Sequence, residues 1–495
     1  MITVDFRDFI RVAPEMVLCG FAILIMVLET VTPIGRKKML GWIAIAAVII
    51  SAVTAVVLRG FQGSAFSGSV LDDGFSLYLI YLLLAIAGLT LLSSISYLER
   101  DSVDHGEFYA LVLFSTAGAA FMVASIDLIM IFIGLEITSI STYVLVGYKR
   151  NETQSNEGSL KYFLLGSFAT AFFLYGIAFV YGLTGTTNLA AVRETLVNSQ
   201  PASSTAGFGP HMLWLAVLLM FVGLGFKVST APFQVWTPDV YQGAPAPVTA
   251  FLSTAPKAAA FAVLLRILIG TFGASRAATD IGPLIFWVLW ISAVLTMTIG
   301  NLAALWQTNV KRLLAYSAIA HAGYILVGFA AGGSEGTSAV LFYLTGYALM
   351  NVGAFVLIAY LADTGERRLE VSDYNGLASE RPGVAACLTV FLLSLSGFPA
   401  TVGFFAKFYV FRAAIHSHLI ALAVIALLNS VVSVYYYLRL VVAMYMSEGK
   451  AATSKAPLPR ALGFALALSL IGIFYLGLFP SGLLGNLLSI HLPGT

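Results

Sequence analysis

The chain has 495 residues, of which 59% are hydrophobic and only 10% are charged. A soluble domain carries roughly 25% charged residues, so this composition excludes a water-soluble globular protein. The net charge of +2 indicates no particular partner. The apolar residues come in runs of about twenty, the length that crosses the core of a bilayer. Residues 163–183 and 462–479 are clear examples.

The first residues, MITVDFRDFIRVAPEM, mix acidic and basic side chains. A cleavable signal peptide would need a basic segment, a short apolar stretch and a small-residue cleavage site. We therefore expect the first apolar span to be retained.

The hydropathy pattern predicts an all-α integral membrane protein with about 14 transmembrane helices. Only residues 125–127 separate the fourth span from the fifth, so a fold with one span fewer is the alternative. The spans, in chain order, lie near residues 13–33, 39–58, 76–97, 107–124, 128–148, 160–183, 212–235, 245–272, 284–305, 313–331, 337–361, 384–411, 418–445 and 461–484.

The distribution of lysine and arginine predicts the orientation, because cytoplasmic loops carry an excess of these residues. The loops after odd-numbered spans hold Arg36, Lys37, Lys38, Arg100, Lys149, Arg150, Lys311, Arg312, Arg367, Arg368, Arg381, Lys450, Lys455 and Arg460. The opposite side holds Arg7, Arg11, Arg59, Arg193 and Arg276. We therefore predict a multi-pass protein of a bacterial cell inner (plasma) membrane with both termini on the outer, periplasmic side.

Short sequence matches recur at an offset of about 180 residues. STYVLVGY (141–148) is similar to AGYILVGF (322–329), and VGLGFK (222–227) is similar to VGFFAK (402–407). Five predicted spans fit into this offset, and an odd number inverts the second copy in the membrane, as in many transporters. We predict two inverted five-helix repeats within four units. These are 1–106 (helices 1–3), 107–272 (helices 4–8), 284–445 (helices 9–13) and 446–495 (helix 14).

Two predicted spans contain a proline close to a lysine. Pro232 follows Lys227 by five residues, and Pro399 precedes Lys407 by eight. Proline removes a backbone donor and clashes with the preceding turn, and ion paths in inverted-repeat transporters lie on discontinuous helices. We predict helix breaks near both prolines, in helices 7 and 12. The alternative is an ordinary proline kink.

Three lysines, Lys227, Lys257 and Lys407, lie near the middle of predicted spans. A lysine there costs a few kcal/mol even on lenient insertion scales. Desolvation disfavours its charged form, and a nearby carboxylate favours it again. A lysine balanced in this way can hold or release a proton as its neighbours change. The alternative is a static ion pair.

Three further polar residues are candidates for the same path. Glu136 is a carboxylate near the middle of the fifth span, where it can pair with Lys227 or remain a protonated, hydrogen-bonded acid. Lys161 begins the sixth span and either serves proton uptake or extends its amine to the interface. His321 lies in the tenth span, and the near-neutral pKa of histidine suits a relay between Lys257 and Lys407. Its alternative role is packing.

Three blocks carry a family resemblance that extends over nearly the whole chain. They are FKVSTAPFQVWTPDVYQGAPAPVTAFLSTAPKAAAF (226–261), NVKRLLAYSAIAHAGYILVG (309–328) and SLSGFPATVGFFAKFYVF (394–411). They resemble the antiporter-like, proton-channel subunits of NADH–quinone oxidoreductase (respiratory complex I), and most closely subunit N, called subunit 2 in mitochondria and chloroplasts.

The resemblance implies that this chain is a membrane-arm subunit of a proton-translocating enzyme and performs no redox chemistry itself. It assigns proton translocation to Glu136, Lys227, Lys257 and Lys407, and places Lys161 and His321 on further family positions.

The same resemblance implies that NADH, FMN, iron–sulfur clusters and quinone are bound by other subunits. The two cysteines, Cys19 and Cys387, are too few for a cluster, which takes four protein ligands. We expect no cofactor, metal or nucleic acid on this chain, and other membrane-arm subunits and lipid as its partners. The competing hypotheses are a subunit of a cation/proton antiporter and a membrane scaffold that transports nothing.

Overall fold

A computed structural model describes residues 5–61, 63–198, 210–273, 281–449, 451 and 456–490. Arg276, Lys450 and Lys455, which were counted for the orientation, lie outside the described residues. Within the described ranges almost all of the chain is helical, and one β-hairpin (β1 Gly63–Ala65, β2 Val70–Asp72) links the second and third spans. No sequence pattern indicated this hairpin.

The α-helices of the described residues follow the predicted order. They are α1 Phe6–Arg11, α2 Ala13–Val31, α3 Lys38–Val57, α4 Gly74–Arg100, α5 Gly106–Ala124, α6 Leu128–Val146, α7 Thr153–Thr184, α8 Leu189–Asn198, α9 Pro210–Val228, α10 Thr237–Gly243, α11 Ala246–Leu252, α12 Ala255–Leu264, α13 Ile281–Leu305, α14 Val310–Ala331, α15 Gly333–Leu361, α16 Leu377–Glu380, α17 Pro382–Ser396, α18 Val402–His416, α19 Ile420–Met446, α20 Arg460–Leu478 and α21 Pro480–Leu488. Short 3₁₀ segments occupy Ile34–Arg36, Leu58–Phe61, Phe233–Trp236, Thr364–Glu366 and Val371–Tyr374, and a π-helix occupies Leu265–Phe272.

The predicted number of spans is confirmed. Thirteen segments of the described chain are long and apolar enough to cross a membrane. The shorter helices α17 and α18 together occupy the predicted twelfth span. The fourth and fifth spans are separate helices, α5 and α6, because Asp127 caps the start of α6 by accepting the amide of Ile129 at 2.9 Å.

Three spans form the centre of the protein. In the spans Ala246–Phe272 and Val310–Ala331, 94% of the most apolar stretch is buried inside the protein, and in Gly333–Leu361 the share is 89%. In α2 and α7 it is only 28% and 33%, so these helices lie at the periphery. Polar side chains on the central helices are therefore shielded from lipid by other helices, the setting in which membrane proteins keep functional charges.

A backbone pairing occurs twice in the same form. The amide of Leu128 donates to Thr187 O at 2.9 Å, and the amide of Val310 donates to Leu369 O at 2.7 Å. The second pair follows the first at an offset of 182 residues, and the segment between them contains five of the membrane-spanning segments. This geometry supports the predicted inverted repeat, whose boundaries stay a prediction.

Candidate functional site

The first helix break lies directly after Lys227. Helix α9 ends at Val228, and the chain resumes a helical course only at Phe233, beyond Pro232. A carbonyl freed at such a break needs a partner in the protein or in water. Trp236 Nε1 donates to Phe226 O at 3.0 Å and supplies one.

Helix α13 stabilises the same break from the other half of the chain. The amide of Ala231 donates to Thr296 Oγ1 at 2.9 Å, and the hydroxyl of Thr230 lies 3.0 Å from that oxygen. The break is therefore a defined, hydrogen-bonded structure that holds the last turn of α9 in place.

Lys227 is buried in this last turn, with 4% of the residue exposed. Its Nζ donates to Ser139 Oγ at 2.9 Å and to Tyr162 OH at 3.1 Å. Tyr162 stacks on Trp236, with 4.6 Å between ring centroids. The lysine is thus held by hydroxyl groups of α6 and α7.

Glu136 does not form a direct ion pair with Lys227 in this structure. Within the part of the chain described, Glu136 Oε1 is buried and has no hydrogen-bond partner, and the nearest bonds of Lys227 go to Ser139 and Tyr162. Ser139 lies one turn after Glu136 on α6, so its hydroxyl occupies the position where a contact was expected.

Lys257 lies beside a third break, which the sequence analysis did not predict. Helix α11 ends at Leu252 and α12 begins at Ala255. Asn351 Nδ2 donates to Ser253 Oγ in the gap at 2.6 Å. The available signal was Pro256, which stands in the first turn of α12, a position typical of helix starts.

The amine of Lys257 faces the centre of the protein. Its Nζ lies 3.5 Å from Ala318 O and 5.6 Å from the ring centre of Tyr241. A cavity of about 10 Å³ adjoins it, lined in part by Thr254 and Tyr347. That volume is close to the minimum that holds one water molecule.

His321 lies on α14, one turn beyond Ala318. Its Nδ1 is 2.6 Å from Tyr343 OH, and its Nε2 is 3.1 Å from Tyr437 OH. Both ring nitrogens of His321 are thus in contact with tyrosine hydroxyls. Its role as a relay between Lys257 and Lys407 stays a prediction.

The second predicted break lies between Ser396 and Val402 and contains Pro399. Lys407 Nζ donates to Ser396 O, the last residue of α17, at 2.8 Å, and to Ser430 Oγ of α19 at 2.9 Å. Gly397 has φ +93, and a Cβ there would lie 3.1 Å from the lysine side chain. Glycine therefore permits both the turn and the close approach of the amine.

A hydrogen-bond network joins the surroundings of His321 to those of Lys407. Tyr436, adjacent to Tyr437 on α19, donates to Asn301 Oδ1 at 3.0 Å, and Asn301 Nδ2 donates to Tyr324 OH at 3.0 Å. The amine of Lys407 lies 5.0 Å from the ring centre of Tyr324. These tyrosines were not predicted from the sequence, because an aromatic residue in an apolar span gives no separate signal.

Lys161 takes part in a cluster of ion pairs at one end of the spans. Its Nζ lies 2.6 Å from Asp239 Oδ2 and 2.6 Å from Glu157 Oε1. Asp239 also binds Arg312 of α14 at 2.6 Å. The cluster joins the helix after the first break to the second half of the chain. Either predicted role of Lys161 fits this position.

A second charged network was missed by sequence reasoning. Lys311, counted as a loop charge, is fully buried and pairs with Glu366 at 2.7 Å. Glu366 also accepts the first amide of α11, from Ala246, at 2.7 Å and a hydrogen bond from Tyr97. We call this group, together with Arg100, Asp101 and Lys149, the Glu366 network.

Opposite charges outweigh burial at Glu366. Burial alone would raise the pKa of this carboxyl group. The charges of Lys311 and Lys149, with the hydrogen bonds from Lys311 and Tyr97, lower it instead from 4.5 to about 2. Glu366 is therefore a fixed anion that ties the loop before α16 to the start of α11.

Two further arginines, Arg266 and Arg439, are bonded to groups at helix ends. Arg266 pairs with Asp73, the cap of α4, at 3.0 Å, and Arg439 donates to Leu305 O at 2.9 Å. No group of three or more metal-ligating side chains converges within the described ranges.

Together these features define a multi-pass α-helical membrane protein with buried lysines at or beside helix breaks, the arrangement of ion-translocating transporters. The family described as NADH:quinone oxidoreductase/Mrp antiporter, TM matches residues 125–433. The NADH-quinone oxidoreductase subunit N 1 of Solibacter usitatus (strain Ellin6076) is 48% identical to this chain over 97% of it and 96% of that protein. The chain therefore belongs to the subunit N family of NADH–quinone oxidoreductase, and the resemblance of its motifs is confirmed.

Solved structures agree with this assignment. A chain of respiratory complex I from Thermus thermophilus with bound aureothin matches with a TM-score of 0.79 and 33% identity, over 96% of this chain and 99% of that one. A chain of the Mrp complex from Dietzia sp. DQ12-45-1b matches with a TM-score of 0.81, over 99% of this chain and 98% of that one. Its sequence identity is only 21%. The second match shows a shared fold alone.

Proposed function

We propose that this chain translocates protons through Lys227, Lys257 and Lys407, as a membrane-arm subunit of proton-pumping NADH–quinone oxidoreductase. Because the chain belongs to this family, it is a subunit of that enzyme, and other membrane-arm subunits are its partners. In this proposal the energy of quinone reduction elsewhere in the complex changes the charges along the lysine row.

One observation carries the proposal. Each of the three lysines is buried, lies at or beside a helix break, and has no carboxylate bonded to its amine within the described residues. A static ion pair would place a carboxylate there. Hydroxyl and carbonyl partners leave the amine able to exist with or without its extra proton.

Direct proton transfer needs hydrogen-bond contact or a chain of water. Between Lys257 and Lys407 we assign the relay to His321, whose ring nitrogens contact the hydroxyls of Tyr343 and Tyr437. Tyr436, next to Tyr437, continues this polar group through Asn301 to Tyr324, and water would complete the path to the two amines. Glu136 acts on Lys227 through its charge and not through contact. Lys161, bound to Asp239, is proposed for proton uptake.

The orientation is part of the proposal. The excess of lysine and arginine in the loops after odd-numbered spans supports a cytoplasmic position for those loops. Both termini then face the outer side of a bacterial inner membrane. The repeated backbone pairing supports the units proposed from sequence, which are 1–106, 107–272, 284–445 and 446–495.

The cofactors of the parent enzyme belong to its other subunits in this proposal. NADH, FMN, iron–sulfur clusters and quinone would act there, and this chain would contribute a proton path alone. The competing hypothesis is a cation/proton antiporter subunit, whose fold the Mrp chain shares. Four relatives of 40–48% identity instead carry the name of NADH-quinone oxidoreductase subunit N.

A purification from source membranes through a tag on this chain tests the proposal. We expect flavin- and iron–sulfur-containing polypeptides to co-purify. When the isolated complex is reconstituted into vesicles and supplied with NADH and quinone, we expect the pH inside the vesicles to change. Isolation of the chain with cation-antiporter subunits alone would contradict the assignment. A complex that reduces quinone equally well and pumps equally well without this chain would contradict its role as a proton path.

A further inference from the structure

The turn between α10 and α11 is held at both ends by one buried ion pair. Only Ala244 and Pro245 separate the two helices. Lys311 Nζ donates to Ala244 O at 2.5 Å. The amide of Ala246 donates to Glu366 Oε1 at 2.7 Å. The two charged side chains pair with each other at 2.7 Å. We call Lys311 and Glu366, with these bonds, the turn clamp.

The charges of the turn clamp match the helix ends that they bind. Lys311 lies at the C-terminal end of α10, where free carbonyls carry partial negative charge. Glu366 lies at the N-terminal end of α11, where free amides carry partial positive charge. The exposed fractions of the two side chains are 0% and 8%, so water screens these interactions little. The pair therefore fixes the turn as well as neutralising its own charges.

The loop that carries Glu366 is bent so that the carboxylate reaches the turn. Asp363, Gly365 and Glu366 have φ values of 64°, 73° and 50°. Residues other than glycine adopt this left-handed region only rarely, and they persist there where the surrounding structure fixes them. The bond from the amide of Val310 to Leu369 O ties the same loop to the start of α14. Glu366 is thus held in a defined position beside the lysine of the clamp.

The two half-helices that meet at the turn are also bonded to each other. Thr249 Oγ1 of α11 lies 3.1 Å from Tyr241 O and 3.4 Å from Ala244 O, both at the end of α10. The ring centre of Tyr241 lies 5.6 Å from Lys257 Nζ. A change at the turn would therefore reach α10, α11 and the surroundings of Lys257 together.

Helix α14 contacts this part of the chain at two levels of one face. Lys311 and Ala318 are seven residues apart, which is two helical turns or about 10 Å along the axis. Lys311 binds the turn, and Ala318 O lies 3.5 Å from Lys257 Nζ. His321 follows Ala318 by about one further turn on the same helix. The two contacts together fix the position of Lys257 along α14.

We propose that the turn clamp is a positioning device for the proton path. It holds α11 and α12 at the height along α14 at which Lys257 lies beside Ala318 and one turn from His321. Neither residue of the clamp carries a transferred proton in this role. The inference rests on the proposed function, since the height of Lys257 matters to pumping only if this lysine takes part in proton transfer.

The number of protons pumped per quinone reduced, measured with the whole complex in proteoliposomes, tests the proposal. Lys311→Met removes the bond to Ala244 O and the ion pair, and keeps much of the side-chain length. We expect the ratio to fall about fivefold, the lower end of the usual range for coupling between sites. The rate of quinone reduction should fall less.

A double variant separates positioning from stability. Lys311→Met combined with Glu366→Gln leaves no unpaired buried charge, so thermal stability should recover in part relative to Glu366→Gln alone. Methionine still cannot donate to Ala244 O, so the pumping ratio should stay low. If the clamp served stability alone, the pumping ratio would recover together with the stability. That result would overturn the proposal.

Lys149→Met is the matched control. Lys149 is a nearly buried cation of the same Glu366 network and pairs with Asp101 at 2.6 Å. Within the described residues it makes no hydrogen bond to the turn. We expect this variant to lose stability and to keep the wild-type pumping ratio. A loss of pumping equal to that of Lys311→Met would reflect the charged network in general and contradict a specific role of the turn. If Lys311→Met does not assemble, the double variant carries the test.

Lys257→Met, measured in the same assay, separates this inference from the proposed function. Loss of pumping in Lys257→Met with a wild-type ratio in both clamp variants would overturn the positioning role and leave the proposed function intact. Normal pumping by Lys257→Met would contradict the proposed function, and the positioning role would fail with it.

Discussion

Lys407 donates to the carbonyl of Ser396 at 2.8 Å, so the lysine on α18 caps the end of the preceding half-helix, α17. Lys227 lies in the last turn of its own half-helix, α9. The two prolines stand on opposite sequence sides of their lysines, yet each lysine is associated with the C-terminal end of a helix, Lys227 by its position in α9 and Lys407 by its bond to Ser396 O. That end carries partial negative charge and stabilises a cation by roughly 0.3–1 kcal/mol at exposed sites, and by up to about 2 when partly buried.

The first prediction concerns the charge of Glu136. Glu136→Gln keeps the shape of the side chain and removes its field at Lys227, so the lysine should hold its proton less well. We expect proton pumping per quinone reduced to fall about tenfold, the effect of about 1.4 kcal/mol, while assembly of the complex is unchanged. Proton uptake by proteoliposomes measures the first quantity, and native gels measure the second.

Ser139→Ala is the matched control. It removes the direct hydrogen bond to Lys227 but leaves both charges in place, so its effect on pumping should be smaller than that of Glu136→Gln. Unchanged pumping in an intact Glu136→Gln complex would limit Glu136 to a structural role.

The second prediction concerns the contact of His321 with Tyr437. Tyr437→Phe keeps the ring and removes the hydroxyl that lies 3.1 Å from His321 Nε2. We expect pumping to fall severalfold and stability by only about 1 kcal/mol, the usual net value of one hydrogen bond. Tyr435→Phe, at an exposed position of the same helix, is the control. Equal pumping by both variants would remove Tyr437 from the path.

The third prediction concerns the pairing of Glu366 with Lys311. The pKa of Glu366 is lowered from 4.5 to about 2. The pair therefore contributes stability above pH 4.5 that is lost as the pH falls towards 2. The shift corresponds to about 3 kcal/mol at 1.36 kcal/mol per pKa unit. Glu366→Gln leaves Lys311 buried without a counter-charge, which typically costs about 3–5 kcal/mol.

Thermal unfolding of the purified complex at several pH values provides the measurement. The difference between wild type and Glu366→Gln should be constant above about pH 5 and shrink below pH 4.5. Adding Lys311→Met should restore part of the lost stability. The exposed pair Lys38 and Glu99 is the control, expected to contribute under about 1 kcal/mol. A pH-independent difference would show that the ionic form of Glu366 is not what stabilises the fold.

Local signals explain what the sequence could predict. Apolar runs of bilayer length located the spans, and Pro232 and Pro399 located two breaks, because each effect acts within a few residues. The burial of Lys311 was not predictable in this way, since it depends on Glu366, which lies 55 residues later. The contact of Glu136 with Lys227 was expected from their charges alone. The hydroxyl of Ser139 takes that place, an outcome that depends on which side chains of α6 and α7 reach the amine.

The last prediction concerns what Lys257 must do. Its amine has no carboxylate bonded to it in the described chain and faces a cavity that holds at most one water molecule. If the residue transfers a proton, it must lose its charge in each cycle. Arginine keeps the positive charge at any accessible pH, and methionine keeps much of the length without a proton site. We therefore expect both Lys257→Arg and Lys257→Met to lower proton pumping at least tenfold.

Coupled quinone reduction and proton pumping in reconstituted complexes provide the measurement. Loss of assembly in one variant would be visible on native gels, and the other variant would then carry the test. Arg266→Lys, in the same span but bonded to Asp73 and Val123 O, is the control for a basic substitution away from the path and should pump normally. Full pumping by Lys257→Arg would mean that a fixed positive charge suffices at this position. Lys257 would then tune its neighbours electrostatically, and protons would pass from the region of Lys227 to His321 without residing on its amine.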